Sequence, residues 1–195
     1  MVVVKIGGSL QSTKYIKQWV DSIRINRNTS FLIIFGGGKY ANKIREEQKI
    51  KKYNDYEAHK LAIDAMRRLA FDNLKYLKDF EVINSLEDIK KNNKKRKLMI
   101  WMPSVKEINE FNIPLNWSAT SDTIALSVSK KINSPLLIIK SFDFGKIKYV
   151  TSFFLKKNIL DDYFSSNYLN NSQYISLASK DKHYMLRKIC KKFIY

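Results

Sequence analysis

The stretch VVVKIGGSLQSTKYI (Val2–Ile16) decides how the chain is read. Val2 to Ile6 is almost continuously apolar, the pattern of a strand covered on both faces of a parallel sheet. Gly7 and Gly8 follow at once, although the chain has only 6 glycines in 195 residues, where average usage of roughly 7% would supply about 13 or 14. A chain this sparing uses glycine where the backbone needs φ > 0 or must approach a ligand closely. Beyond GGSLQ, Tyr15, Ile16, Trp19, Val20 and Ile23 recur at helical spacing, with Ser12 or Thr13 placed to cap the helix. The unit is strand, glycine turn, helix.

Strands and helices go on alternating along the chain, without a sequence repeat. FLIIF (Phe31–Phe35) is a second buried strand, closed by Gly36, Gly37 and Gly38. A long helix is predicted over Tyr56–Leu77, with Ala58, Ala62, Ala65, Met66, Leu69 and Leu77 on one stripe. KLMIWM (Lys97–Met102) reads as the third strand, ending at Pro103. SATSDTIALSVSKKI (Ser118–Ile132) reads as a helix with Ser121 near its start, and PLLIIK as a fourth strand ending near Lys140, with a turn at Gly145. Strands alternating with helices predict an α/β protein, a three-layer α/β/α sandwich with a mainly parallel central sheet.

Composition narrows the partners. Hydrophobic residues make up 45% of the chain, enough for a core, and Cys190 is the single cysteine, which excludes an internal disulfide and a cysteine-based zinc site. No stretch approaches the roughly 18 apolar residues of a membrane span, and the four opening apolar residues are too few for a secretory signal. A cytoplasmic protein with no membrane partner is expected. The net charge of +18 points to anionic partners. Its densest cluster, KKNNKKRK (Lys90–Lys97), lacks the interleaved aromatics of a base-stacking platform. Nucleic acid is therefore not the expected partner.

Each glycine lies just past the carboxyl end of a predicted strand, the edge where open parallel sheets bind ligands. Glycine-rich turns that open a helix expose amides to phosphate. The chain has neither G-x-x-x-x-G-K-[ST] nor G-x-G-x-x-G, so neither a P-loop nor a dinucleotide turn accounts for them. What remains is a pair of glycine turns beside lysines, Lys5 before the first and Lys39 after the second. Phosphoryl transfer needs two anionic groups held in line and neutralised by amides, lysines and usually Mg²⁺. Two facing glycine loops can provide that clamp.

Taken together, VVVKIGGSL, FLIIFGGGKYANKIRE, NWSATSDTIALSVSKKI and LLIIKSFDFGK, in this order, resemble the amino-acid kinase family over roughly residues 1–148. YEAHKLAIDAMRRLAF and the Trp117 before SATSD are similar to a small archaeal-type branch of that family, which includes an aminomethylfuran-phosphate kinase of methanofuran-type one-carbon carrier biosynthesis. The resemblance implies ATP and Mg²⁺, no protein-held metal, and a homo-oligomer. It implies that Lys5 lies between donor and acceptor phosphates and that Asp122 orients the active-site lysines. Gly7, Gly8, Ser9, Lys140 and Gly145 would face the nucleotide. Gly36, Gly37, Gly38, Arg45, Thr120 and Ser121 would hold a phosphorylated small-molecule acceptor.

Each assignment has a structural counterpart. Lys5 can snorkel from a buried strand, and Asp122 can serve as a helix N-terminal charge, worth about 0.3–1 kcal/mol. His59 fits a packed helix position better than a catalytic base, and His183 reads as structural. The expected organisation is one domain over 1–195, with residues 1–135 binding the acceptor and a shortened part, 136–195, binding the nucleotide. That part has no glycine after Gly145, and Lys180 and Lys182 are candidate substitutes. The expected function is transfer of the γ-phosphoryl group of ATP to a small anionic acceptor, such as a phosphate monoester. The alternative is a catalytically silent relative that binds a phosphorylated metabolite or a partner protein.

Overall fold

A computed structural model describes residues 1–11, 14–91, 96–143, 148–149, 159–167 and 175–193. The strands are β1 (Val2–Ile6), β2 (Phe31–Phe35), β3 (Glu81–Ile83), β4 (Leu98–Trp101), β5 (Leu136–Lys140), β6 (Lys148–Tyr149) and β7 (Ile175–Ser179). They form one sheet in the order β3-β4-β2-β1-β5-β7-β6. Neighbours pair in parallel except β6, which runs antiparallel to β7. The helices are α1 (Lys14–Ile25), α2 (Gly38–Lys51), α3 (Asp55–Asn73), α4 (Asp88–Lys91), α5 (Val105–Asn109), α6 (Ser121–Lys131), α7 (Asp162–Asn167) and α8 (Leu186–Lys192).

The pleat of β1 explains the layers. Val2, Val4 and Ile6 join one core cluster with Ile16, Trp19 and Val20 of α1 and with Leu186 and Ile189 of α8. Val3 points to the opposite face, into a second cluster with Ile63 and Met66 of α3 and Ile124 and Val128 of α6. The sandwich is therefore three-layered, as the sequence predicts. Burying each of these large aliphatic side chains contributes about 1.5–3 kcal/mol. Strand side chains alternate in direction, so Lys5 follows Val3 onto the α3/α6 face.

The structure moves some element boundaries. β3 escapes sequence reading because it is three residues long, with Glu81 and Val82 exposed, so the strand predicted as third is the fourth. The long helix ends at Asn73 and tightens into a 3₁₀ turn over Leu74–Tyr76. It begins where the Asn54 side chain accepts a hydrogen bond from Glu57 N at 2.8 Å. Helix α2 has no buried residue and so shows no stripe to read. The Ser12/Thr13 cap, the Gly145 turn and residues 92–95 of the basic cluster lie outside the described residues. Among the described residues, no helix is long and apolar enough to cross a membrane.

Candidate functional site

Strand register builds the site. Lys5 pairs with Ile138 of β5, so Lys140, two residues further along, projects from the same face at the carboxyl edge. Helix α6 starts over that face with Thr120 as N-cap and Asp122 in its first turn. Asp122 Oδ1 lies 2.7 Å from Lys5 Nζ, and Oδ2 takes a short contact from Lys140 Nζ. The Lys5 and Asp122 side chains are each 4% exposed and that of Lys140 is 19% exposed.

The two buried partners titrate under opposed influences. Burial works to raise the Asp122 pKa, but Lys5 and Lys140 outweigh it and hold the carboxyl at about 2. Burial lowers the Lys5 pKa despite the attraction of Asp122, and Lys140 pushes the same way. With both oxygens engaged by ammonium groups, Asp122 is a poor proton acceptor. What it can do is fix where the two ammonium groups point.

The glycine loops meet over this cluster. A methyl group added to Gly8 would lie 2.2 Å from Gly38 N and 2.5 Å from Gly38 Cα. Only glycine allows that approach of backbone to backbone. Gly38 also sits at φ +54°, where a side chain is strained. The Gln11 side chain accepts from Lys39 N at 3.2 Å, tying the first loop to the second. Ser9 Oγ donates to Ser141 Oγ at 2.9 Å, tying it to the end of β5.

Below the loops opens a cleft of about 510 Å³. Lys5, Lys39, Arg45 and Lys140 bring positive charge to its wall, and Ala62, Ile63, Met66 and Ile124 supply an apolar side. Gly8, Ser9, Gly37, Gly38, Thr120 and Ser121 also reach the wall, as does Asp122. Gly7 and Gly36 stand behind it: a Cβ on Gly7 would lie 2.8 Å from the Ile139 carbonyl, and one on Gly36 2.9 Å from Gly8 N. Their role in this geometry is to let the loops close up. The exposed Arg45 guanidinium stacks over the Trp117 ring at 4.3 Å, and Trp117 Nε1 donates to Gln48 Oε1 at 2.6 Å.

Other sequence candidates lie elsewhere. Lys180 sits over the Tyr15 ring at 5.4 Å, and Lys182 pairs with Asp181 at 2.8 Å. His183 packs edge-on against Trp19 and contacts Ser22 Oγ at 3.2 Å, consistent with a structural part. In the basic cluster, Arg96 Nη2 donates to the Ile23 and Arg24 carbonyls, and Lys97 Nζ donates to the Ile89 carbonyl. Sequence reasoning missed Asp161, whose carboxylate accepts from Thr120 N at 2.9 Å, Thr123 N at 3.0 Å and Phe164 N at 2.9 Å. The Asp161–Asp162 pair before an aromatic is a helix-start signal for α7, but its second task at α6 is long-range. Among the described residues, no group of three or more His, Cys, Asp and Glu side chains forms a metal site.

The site and the sheet together define an α/β protein whose parallel strands carry two touching glycine loops at their carboxyl edge, above a Lys–Asp–Lys cluster. No family model matches the chain. Over 142 residues it is 30% identical to the [5-(aminomethyl)furan-3-yl]methyl phosphate kinase of Methanocaldococcus jannaschii. The match takes in 71% of this chain and 64% of that protein, so the chain spans just under two thirds of this relative's length. Among solved structures, UMP kinase from Bacillus anthracis superposes with a TM-score of 0.69 at 15% identity, covering 98% of this chain and 91% of that one. UMP kinase from Ureaplasma parvum gives 0.65 at 14% identity, covering 98% and 94%. An isopentenyl phosphate kinase gives 0.56 at 12%, covering 92% and 91%. The chain has the fold of the amino-acid kinase family.

Proposed function

We propose that this chain is an ATP-dependent kinase that phosphorylates a small phosphate monoester. The observation that carries the reading is the buried Lys5–Asp122–Lys140 cluster beneath the paired glycine loops. A phosphoryl group in flight carries charge on its three equatorial oxygens, and preorganised cations stabilise it most where water is excluded. Lys5 and Lys140 meet that need, and Asp122 holds them in place. Because Asp122 is not poised to remove a proton, the acceptor must arrive with a nucleophilic anionic oxygen, as a phosphate monoester does. An acceptor phosphate oxygen bonds the γ-phosphorus, the bond to the β,γ-bridging oxygen breaks, and ADP departs with the electron pair. The product is a diphosphate.

The first glycine loop and Lys5 suit the phosphates of ATP, and Gly37 and Gly38 with Arg45 suit the acceptor phosphate. Mg²⁺ arriving with the nucleotide would supply further charge neutralisation. The named relatives are kinases whose substrates carry phosphate, which supports a phosphorylated acceptor. The aminomethylfuran phosphate of the sequence relative is the first to try. The test is ADP release with Mg·ATP and three acceptors: that furan phosphate, UMP and isopentenyl phosphate. It is paired with calorimetric titration of a non-hydrolysable ATP analogue into native protein and Lys5→Ala. Binding weakened by the substitution, with turnover of one ester, is expected. Absence of nucleotide binding to the native protein overturns the kinase reading in favour of a silent phosphate-binding relative.

A further inference from the structure

His59 is the group in the cleft that this mechanism leaves unused. It lies on α3, 5% exposed, and contributes to the cleft wall. Its ring faces the Asn116 backbone, whose pull works to raise its pKa, while Nε2 is buried without a hydrogen-bond partner. A buried polar atom left unpaired is costly, and one in a ligand cleft is where a ligand atom belongs. Burial lowers the ring's pKa, against the pull of the Asn116 carbonyl, so the imidazole is neutral near pH 7. A neutral ring that carries its proton on Nδ1, toward that carbonyl, leaves Nε2 as an acceptor.

We propose that His59 Nε2 is a specificity point that accepts a hydrogen bond from a donor group on the phosphorylated acceptor, at the end remote from its reacting phosphate. Helix α3 serves as the ruler. Its Ala65 Cβ would lie 3.4 Å from a Cβ on Gly37, and its Leu69 Cδ2 lies 3.2 Å from the same position on Gly38, so this part of the helix abuts the phosphate end. His59 precedes Ala65 by six residues, about 9 Å along a helix rising 1.5 Å per residue. Ile63 and Met66 follow His59 at i+4 and i+7 on the same face, and both line the cleft. A substrate matching this wall has a phosphate at one end, a compact apolar body along Ile63 and Met66, and a hydroxyl or amino donor roughly 9 Å away.

The inference rests on the kinase reading for its substrate class, but its test separates the two. Three phosphate monoesters are compared that differ only in the group distal to the phosphate: the aminomethylfuran phosphate and its hydroxymethyl and methyl counterparts. The wild type is expected to favour at least one donor-bearing ester over the methyl ester by about tenfold or more in kcat/KM. The amino and hydroxyl arms show which donor it is. His59→Ala brings that ratio within about threefold, chiefly through acceptor KM, and His59→Gln, which restores an acceptor oxygen, recovers part of it. The chain has only 2 histidines, so a His183→Gln control assigns the His59 ring ¹⁵N signals, and Nε2 moves upfield when a donor-bearing ester binds. An Nε2 shift without turnover supports the inference and overturns the kinase reading. Turnover that ignores the distal group, with Nε2 unmoved, overturns the inference and leaves the kinase reading standing. Esters that neither bind nor react overturn both.

Discussion

The chain up to Lys140 and the chain beyond it serve the cleft in different ways. Among the described residues, every side chain lining the cleft lies at or before Lys140. The described residues after it brace from behind. Strand β7 pairs with β5 along its length, and Leu186, Ile189 and Cys190 pack on the α1 face. Asp161 binds the first turn of α6 through Thr120 and Thr123. A carboxylate there satisfies amides that a helix start leaves unpaired and complements its dipole. The same turn carries Asp122, so the later segment reaches the chemistry by holding one helix end still. Wall residues should govern turnover, and bracing residues should govern stability.

The largest expected effect breaks the wall. Lys5→Met removes a cation from the reacting phosphates while keeping the buried stem, and turnover should fall by about 10³-fold or more. ADP release measures this, with thermal melting to show that the fold persists. A loss under about tenfold contradicts the wall assignment.

Asp122→Asn tests the cluster's stability. It leaves two ammonium groups without their carboxylate, and breaking a buried pair costs about 3–5 kcal/mol, read by urea unfolding at pH 7. The carboxyl titrates at about 2 in the fold and near 3.9 when unfolded. Its stabilisation is therefore complete above about pH 4 and is lost as pH falls through about 2. The gap between native protein and variant should narrow over that window. Lys5 titrates with the same slope: its lowered pKa means that keeping the buried amine protonated costs stability, and the cost is relieved as pH rises from the folded toward the unfolded pKa.

The members of the Lys–Asp–Lys cluster were named in the sequence through the family resemblance, which implied Lys5 and Asp122 as active-site residues and Lys140 as facing the nucleotide; the pairing of β1 with β5 is what brings them together. Period two puts Lys5 on the face of Val3, the same rule puts Lys140 on the face of Ile138, and Asp122 stands at a helix start. The facing of the glycine loops was expected from their shared sheet edge, and the pairing of β1 with β2 puts them side by side. Other features depend on contacts no local pattern encodes. Asp161 meets Thr120 across a long separation in sequence, Trp117 finds Gln48 of α2, and β3 joins the sheet edge through three residues without an apolar run. His59 was visible on the α3 stripe, but its unpaired Nε2 emerges only once Asn116 is seen beside it.

Asp161→Ala probes the brace. Thr120 and Thr123 each lose hydrogen bonds to a carboxylate, and caps and charged hydrogen bonds together contribute about 2–3 kcal/mol. Chemical unfolding should show that loss, while kcat at a temperature where the variant is folded drops less than tenfold. A larger drop in kcat than in stability would place Asp161 with the wall and erase the division.

The smallest effect sharpens the acceptor end. Arg45 is exposed, so its charge is screened, and its distinguishing contact is the guanidinium lying over the Trp117 ring, 4.3 Å from its centroid. Arg45→Lys keeps the charge and loses the stack and the fork of donors. An exposed cation–π contact is worth about 0.5–1 kcal/mol, equivalent to a rise of about two- to fivefold in acceptor KM, with a smaller change in kcat. A rise in nucleotide KM instead would move Arg45 to the donor side. If Arg45 positions the acceptor through this stack, Trp117→Leu should reproduce the acceptor effect, and the double variant should add little to either change alone.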